Sequence, residues 1–441
     1  MFPAVRLVLI CAAIAGCNDA VVVEITSDRP VPTAIDHVCL GVADHAATGG
    51  QYGRNYPIDK LPQSLRIEPG KADTALAWVR ADRGGVAVAR AAGELDFAHD
   101  LTLALDACVK GPGSAPHVMG GPVGPANAKL AASEGRGGTL LVAIAADSAT
   151  VIDAKSGALV TSAAPAPPAG KPLAIVSADL DGDCDDDLVI VTDGAAPTVW
   201  MRDGAGFAEA GTIGGSIVAA AAAADVDQDG RTDVVLGYAG TLELWLNDGA
   251  GNFTHANQAL AGGGKVSAVS ALALGDVDGD GFPDLIVGQA GPPLAAWLGG
   301  AGSFAASTSI VPAVPLMVES LSFADADGDF DPDLAVSVSG APLRLYIDRD
   351  GHLEDQTHVR LTGTVPDAHA VAFGGWDDGC EPDAVVASDA GAPTLRGQPT
   401  GVYAEAEPAP AATDVIMADI DDDGDLDALF ATAQGVTWLA R

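Results

Sequence analysis

The chain has 441 residues, with 60 acidic against 22 basic side chains and a formal charge of −38. A surface of that sign repels nucleic acid and anionic lipid, and no basic patch interrupts it, so neither is expected as a partner. Apolar residues make up 48% of the chain and aromatics only 5%, with 54 glycines; this balance favours many short strands and tight turns over long amphipathic helices.

Residues 1–16 read as an export signal, with Arg6 as a short positive start and Leu7 to Ala13 as an apolar stretch too short to span a bilayer. The following Ile14-Ala15-Gly16-Cys17 resembles the lipobox of bacterial lipoproteins. That resemblance implies an exported protein, lipidated at Cys17 and held in the cell envelope by its lipid alone. Ala13-Ile14-Ala15 offers ordinary signal cleavage as the alternative, which would leave the protein secreted. Once Cys11 has left with the signal and Cys17 carries lipid, Cys39, Cys108, Cys184 and Cys380 remain. An even number of cysteines in an oxidising compartment points to disulfides. Cys39 and Cys108 each adjoin a candidate strand and are expected to pair, whereas a Cys184–Cys380 bridge stays open.

Residues 18–110 are expected to form a small antiparallel β-sandwich. Val21 to Thr26, Leu65 to Glu68 and Leu101 to Leu105 alternate with period two, and residues 78–90 read as a hairpin. Residues 111–127 are rich in glycine and proline and form a linker, within which about residues 112–122 are expected to supply a closing strand for the array that follows.

Residues 128–441 carry a repeat. Five nine-residue loops place aspartate at positions 1, 3, 5 and 9: Asp179, Asp181, Asp183 and Asp187; Asp225, Asp227, Asp229 and Asp233; Asp276, Asp278, Asp280 and Asp284; Asp325, Asp327, Asp329 and Asp333; and Asp419, Asp421, Asp423 and Asp427. Position 9 opens a short apolar run that reads as a strand buried on both faces. An aromatic follows on a second strand, namely Trp200, Trp245, Trp297, Tyr346 and Trp438, and is read as core packing. Glycine-rich turns come next, as at Asn247 to Phe253 and Gly299 to Phe304. Two weaker copies extend the pattern. One, at Gly375 to Asp383, lacks acids at positions 1 and 5; the other, with Ala131, Ser133 and Gly135 in the loop slots, should bind no metal. Loop starts at 131, 179, 225, 276, 325, 375 and 419 recur every 44 to 51 residues. That is the size of a four-stranded propeller blade, so an all-β, seven-bladed β-propeller is expected after the sandwich.

The five aspartate loops and the Leu246-Asn-Asp-Gly-Ala-Gly-Asn-Phe253 turn resemble the FG-GAP or VCBS repeat family, known from the integrin α-chain propeller. The resemblance covers about residues 120–441. It implies that the four aspartates of each loop ligate Ca2+, with the position 7 carbonyl, at about five sites. Cys184 and Phe330 depart from the glycine at position 6, which implies weaker binding there. Alternating carboxylates on a tight loop suit calcium independently, since it takes six to eight hard oxygens in flexible geometry. An EF-hand is excluded: it needs Glu at position 12, where this chain has Ile190, Leu236, Val287, Val336 and Phe430.

No Gly-x-Ser-x-Gly elbow, His-Glu-x-x-His or phosphate loop occurs. The expected function is a surface-tethered, monomeric binding or adhesion module for an envelope protein or glycan, and not an enzyme. A calcium-dependent polysaccharide-active enzyme and a purely structural envelope component are the alternatives.

Overall fold

The computed structural model describes seven strands between residues 21 and 105. From residue 118 to 440 it describes all but short segments, chiefly 136–138, 154–157, 161–165, 261–264, 312–316, 328–330, 377–381 and 419–425. The chain divides into two compact units, one of residues 1–109 with 182–184, the other of residues 110–181 and 185–441.

The first unit contains two sheets. In one, Val21–Ser27 lies between Gln63–Ile67 and Leu101–Leu105; in the other the order is Tyr52–Pro57, His37–Ala43, Ala75–Arg83, Val86–Leu95. Residues 78–83 and 86–90 of the stretch read as a hairpin lie in the last two of these strands, which pair antiparallel. One pairing departs from the expected all-antiparallel arrangement: Val21–Ser27 runs parallel to Leu101–Leu105, with Val23 opposite Leu101.

The second unit is a seven-bladed β-propeller built of seven four-stranded sheets. In blade 3, for example, Val218–Ala224, Asp233–Tyr238, Leu242–Asn247 and Phe253–His255 succeed one another as an antiparallel meander. The first strands of successive blades touch in an unbroken cycle of seven, so they are the innermost. That crowded position calls for small side chains, and the sequence Val-Ala-Ala-Ala-Ala-Ala-Ala at 218–224 supplies them. The chain's wealth of alanine thus has a place in the fold.

The second strand of a blade has neighbours on both edges and both faces. Asp187–Thr192, Asp233–Tyr238, Asp284–Gln289, Asp333–Val338, Asp383–Ser388 and Asp427–Thr432 are buried almost throughout. Side chains alternate across a strand, so each second strand feeds two cores. Leu188 and Ile190 join the core between blades 1 and 2, while Val189 and Val191 join that between blades 2 and 3. Seven such cores, one per junction, hold the ring.

Blade 7 takes its outermost strand from the segment before the first repeat. Val118–Val123 pairs antiparallel with Gly435–Ala440, placing Met119 opposite Leu439 and Val123 opposite Val436. Lys129 Nζ lies 3.6 Å from the buried Asp414 carboxylate, and Leu130 N–H donates to Asp414 Oδ2 at 3.0 Å, fastening blade 1 to blade 7. Among the described residues no helix is long and apolar enough to cross a membrane.

Two expectations need correction. Ala131 and Ser133, taken as loop slots, lie in the first strand of blade 1 (Lys129–Ser133), so this blade's loop is shorter than the others. In four blades the residue after position 9 faces the aromatic: Leu188–Trp200, Val234–Trp245, Leu285–Trp297 and Leu334–Tyr346. In blade 7 that partner is Leu439, opposite Ala428. Trp438 sits one residue out of step, hence on the other face, in the core between blades 7 and 1.

Candidate metal centre

Each acidic loop joins the first strand of a blade to the second. In blades 2, 3 and 4 its path needs left-handed backbone twice. Position 4 has φ of +78° at Gly182, +58° at Gln228 and +70° at Gly279, and position 6 has +84° at Gly230 and +92° at Gly281. Cys184 adopts the same conformation at position 6, with φ +69°, in a buried setting where glycine is the unstrained choice. The cysteine therefore keeps the loop's path. Cys108 and Cys380 lie outside the described residues, and with them the expected Cys39–Cys108 bridge and the Cys184–Cys380 bridge that the sequence left open.

Position 9 holds the loop shut. In blades 2 to 6 its carboxylate is buried and accepts a backbone N–H from position 2 and another from the third strand. Asp233 accepts from Val226 (3.1 Å) and Asn247 (2.9 Å), Asp284 from Val277 (2.9 Å) and Gly299 (2.7 Å), and Asp333 from Ala326 (2.7 Å) and Asp348 (2.8 Å). Asp187 does the same with Leu180 and Arg202, and Asp383 with Trp376 and Gly397. The sequence marked these aspartates only as ligands; their stapling role requires knowing which strand lies alongside.

The earlier acids converge. Asp179, Asp181 and Asp187 each offer an oxygen within 4.8 Å of the others, as do Asp225, Asp227 and Asp229; Asp276, Asp278 and Asp284; and Asp325, Asp327 and Asp333. Opposed oxygens on one Ca2+, with bonds of about 2.3–2.6 Å, stand about 4.6–5.2 Å apart, so these trios fit that ion. Asp183, Asp233 and Asp280 stand outside the trios. Asp329, Asp419, Asp421 and Asp423 lie outside the described residues, and Asp427 is buried at the start of its strand.

Burial of these carboxylates is costly when they are charged. It pushes Asp187 up to about 9 and Asp233 and Asp284 up to about 7, against the lowering effect of their backbone hydrogen bonds, with neighbouring aspartates raising them further. Asp229 and Asp278 are also raised, first by desolvation and then by Asp227 and Asp280 respectively. A bound cation relieves the same penalty that a proton would. All-oxygen donor sets of this kind suit a hard ion such as calcium and not zinc.

The loops sit where blades meet. Asn247 Nδ2 of blade 3 donates to Leu180 O in the blade 2 loop (2.7 Å), Gly302 N–H of blade 4 to Val226 O (3.2 Å), and Tyr403 Oη of blade 6 to Ala326 O (3.1 Å). In blades 4, 5 and 6 the glycine-rich turn lies against position 3 of the preceding blade's loop. A Cβ on Gly302, Gly351 or Gly401 would come 3.2 Å from Asp227 Cβ, 3.4 Å from Asp278 Cα and 2.8 Å from Asp327 Cβ. Those turns are thus glycine-rich for closeness as well as for φ, a reason the linear repeat does not reveal.

A ring of four-stranded blades with acidic loops between first and second strands defines a repeat-built β-propeller. The FG-GAP-like repeat family model matches residues 179–236, 225–287 and 276–336, each span running from one loop to the strand after the next. Residues 179–336 thus carry FG-GAP-like repeats. No curated protein matches it in sequence. Among solved structures it is similar to BBS1N in complex with ARL6DN, soaked with lead (13% identity, 74% of this chain and 95% of that one, TM-score 0.48). It is also similar to an Agrocybe aegerita lectin described as recognising non-reducing terminal N-acetylglucosamine (15% identity, 72% and 86%, TM-score 0.43).

Proposed function

We propose that this protein is a calcium-braced interaction module: a propeller whose blade junctions are set by Ca2+ and whose surface binds a protein or glycan of the cell envelope, without catalysing a reaction. The observation that carries the calcium part is the convergence of three carboxylates in each of four loops, within the span of a single ion's ligands. Repetition supports it, because one acidic turn is unremarkable but a carboxylate trio built on positions 1 and 3 in four successive loops is a pattern. The binding part follows from architecture: blade loops are free to vary while the junction cores hold the scaffold. Cys17 would tether the module by lipid. Calcium is tested by ion counting on the folded chain together with melting in calcium and in chelator; no bound ion and identical curves would remove it. Tethering is tested by labelling with a radioactive fatty acid, which Cys17→Ala should abolish. Binding is tested by a glycan array and by envelope-protein pull-down in calcium, with failure of both counting against the module reading.

A further inference from the structure

The blade 5 loop differs from its neighbours in what faces position 3. Asp327 Oδ2 receives two guanidinium groups, Arg349 at 2.7 Å and Arg360 at 2.8 Å. The carboxylate side chain is 7% exposed, so these ion pairs are shielded from water. Arg360 is itself buried, and its nitrogens are committed: Nε to Gln356 Oε1, one terminal nitrogen to the carbonyls of Thr400 and Gly401, the other to Asp327. It therefore bridges the blade 5 loop to the turn of blade 6. Arg349 also donates to Asp348 O, beside the staple of the same loop. In blade 4, by contrast, no Lys or Arg among the described residues pairs with Asp278, whose Oδ1 instead accepts the Asp280 N–H at 3.2 Å.

We propose that Arg349 and Arg360 hold the blade 5 loop in place of a divalent cation, so that the junction between blades 5 and 6 is locked without metal while that between blades 4 and 5 needs calcium. The proposal rests on the calcium reading above and revises it for one loop. Asp325, Asp327 and Asp333 still bring an oxygen each within 4.8 Å, and Asp327 Oδ1 is buried with no hydrogen-bond partner among the described residues. A dication there would share Asp327 with two positive charges in a site screened from solvent. That repulsion lowers its affinity by roughly a hundredfold or more relative to blade 4. The fork of the Arg360 guanidinium links the blade 5 carboxylate to the carbonyls of Thr400 and Gly401 in blade 6.

The test counts calcium bound to the full chain at equilibrium. Asp276→Asn, in blade 4, should release one ion per chain. Asp325→Asn, in blade 5, should release none, and the Arg349→Gln, Arg360→Gln double variant should bind one ion more than wild type. Loss of an ion in Asp325→Asn, or no gain in a folded double variant, overturns the proposal while leaving the calcium reading intact. If the double variant does not fold, the Asp325→Asn count decides alone. Absence of calcium from the wild-type chain overturns both.

Discussion

The aspartate that ends each loop has a different task from those before it, and blade 6 isolates that task. Its loop lacks the acids at positions 1 and 5, yet Asp383 still accepts Trp376 N–H at 3.1 Å and Gly397 N–H at 2.8 Å. Asp383→Ala would strand both donors in a buried site, at a cost of about 2–4 kcal/mol. Urea denaturation should show that loss equally in calcium and in chelator. Asp278→Asn, at an exposed position 3, should lower stability only where calcium is present. Equal calcium dependence of the two variants would contradict the division of labour. A second residue gives the molecule a pH dependence apart from the metal. His369, on the first strand of blade 6, has Nδ1 2.7 Å from Glu319 of blade 5 and Nε2 3.0 Å from Asp389. Burial alone would lower its pKa, but the bonds to Glu319 and Asp389 raise it above 6.5. A folded-state pKa above the unfolded one means that the stabilisation is complete below about pH 6.5 and fades as pH rises through the folded value. Wild type should therefore lose melting temperature relative to His369→Gln between pH 6 and pH 8; parallel curves would exclude the contribution.

At the scale of the element, the turn of one blade and the loop of the one before it form a single unit. Gly351, with φ +82°, would place a Cβ 3.4 Å from Asp278 Cα, whereas Gly340, with φ +66°, has open space around it. Gly340→Ala should cost only the left-handed strain, about 1–2 kcal/mol. Gly351→Ala should cost at least as much and also weaken calcium binding at blade 4, read by titration of the intact protein. Equal calcium affinity in the two variants would show that turn and loop are independent. Much of this element was legible beforehand. The Asp spacing located the loops, and the apolar runs from Leu188, Val234, Leu285 and Leu334 located second strands buried on both sides, because these signals are local. The sequence misled where register decides: Trp438 falls one residue from the aromatic row, and a strand's period of two then sends it to the opposite face. It was silent about the arginines on Asp327. They come from 22 and 33 residues away, the second from a single helical turn, Thr357–Arg360, that no periodicity announces.

For the whole molecule, the proposed calcium would act through the blade junctions. With a dissociation constant of about 0.1 mM and 1 mM free ion, each occupied site contributes about 1.4 kcal/mol, so a few sites supply much of a domain's usual stability. Chelation should lower the melting temperature and added calcium restore it; superimposable curves would mean that the loops are only acidic turns. The ring also depends on Val118–Val123. Deleting that strand leaves Gly435–Ala440 as an open edge, and self-association should follow, visible by size-exclusion chromatography. The same pairing sets a timetable for biosynthesis. Val118–Val123 is made before any of the repeats, and its partner about 310 residues later. At about 5–20 residues per second, the early strand waits roughly 16–60 s for its mate. Blades can stack as they emerge, but the circle cannot be sealed until the final strand has been synthesised. A chain stalled or clipped before Gly435 would therefore lose the seal of the ring, although all six earlier blades were already made.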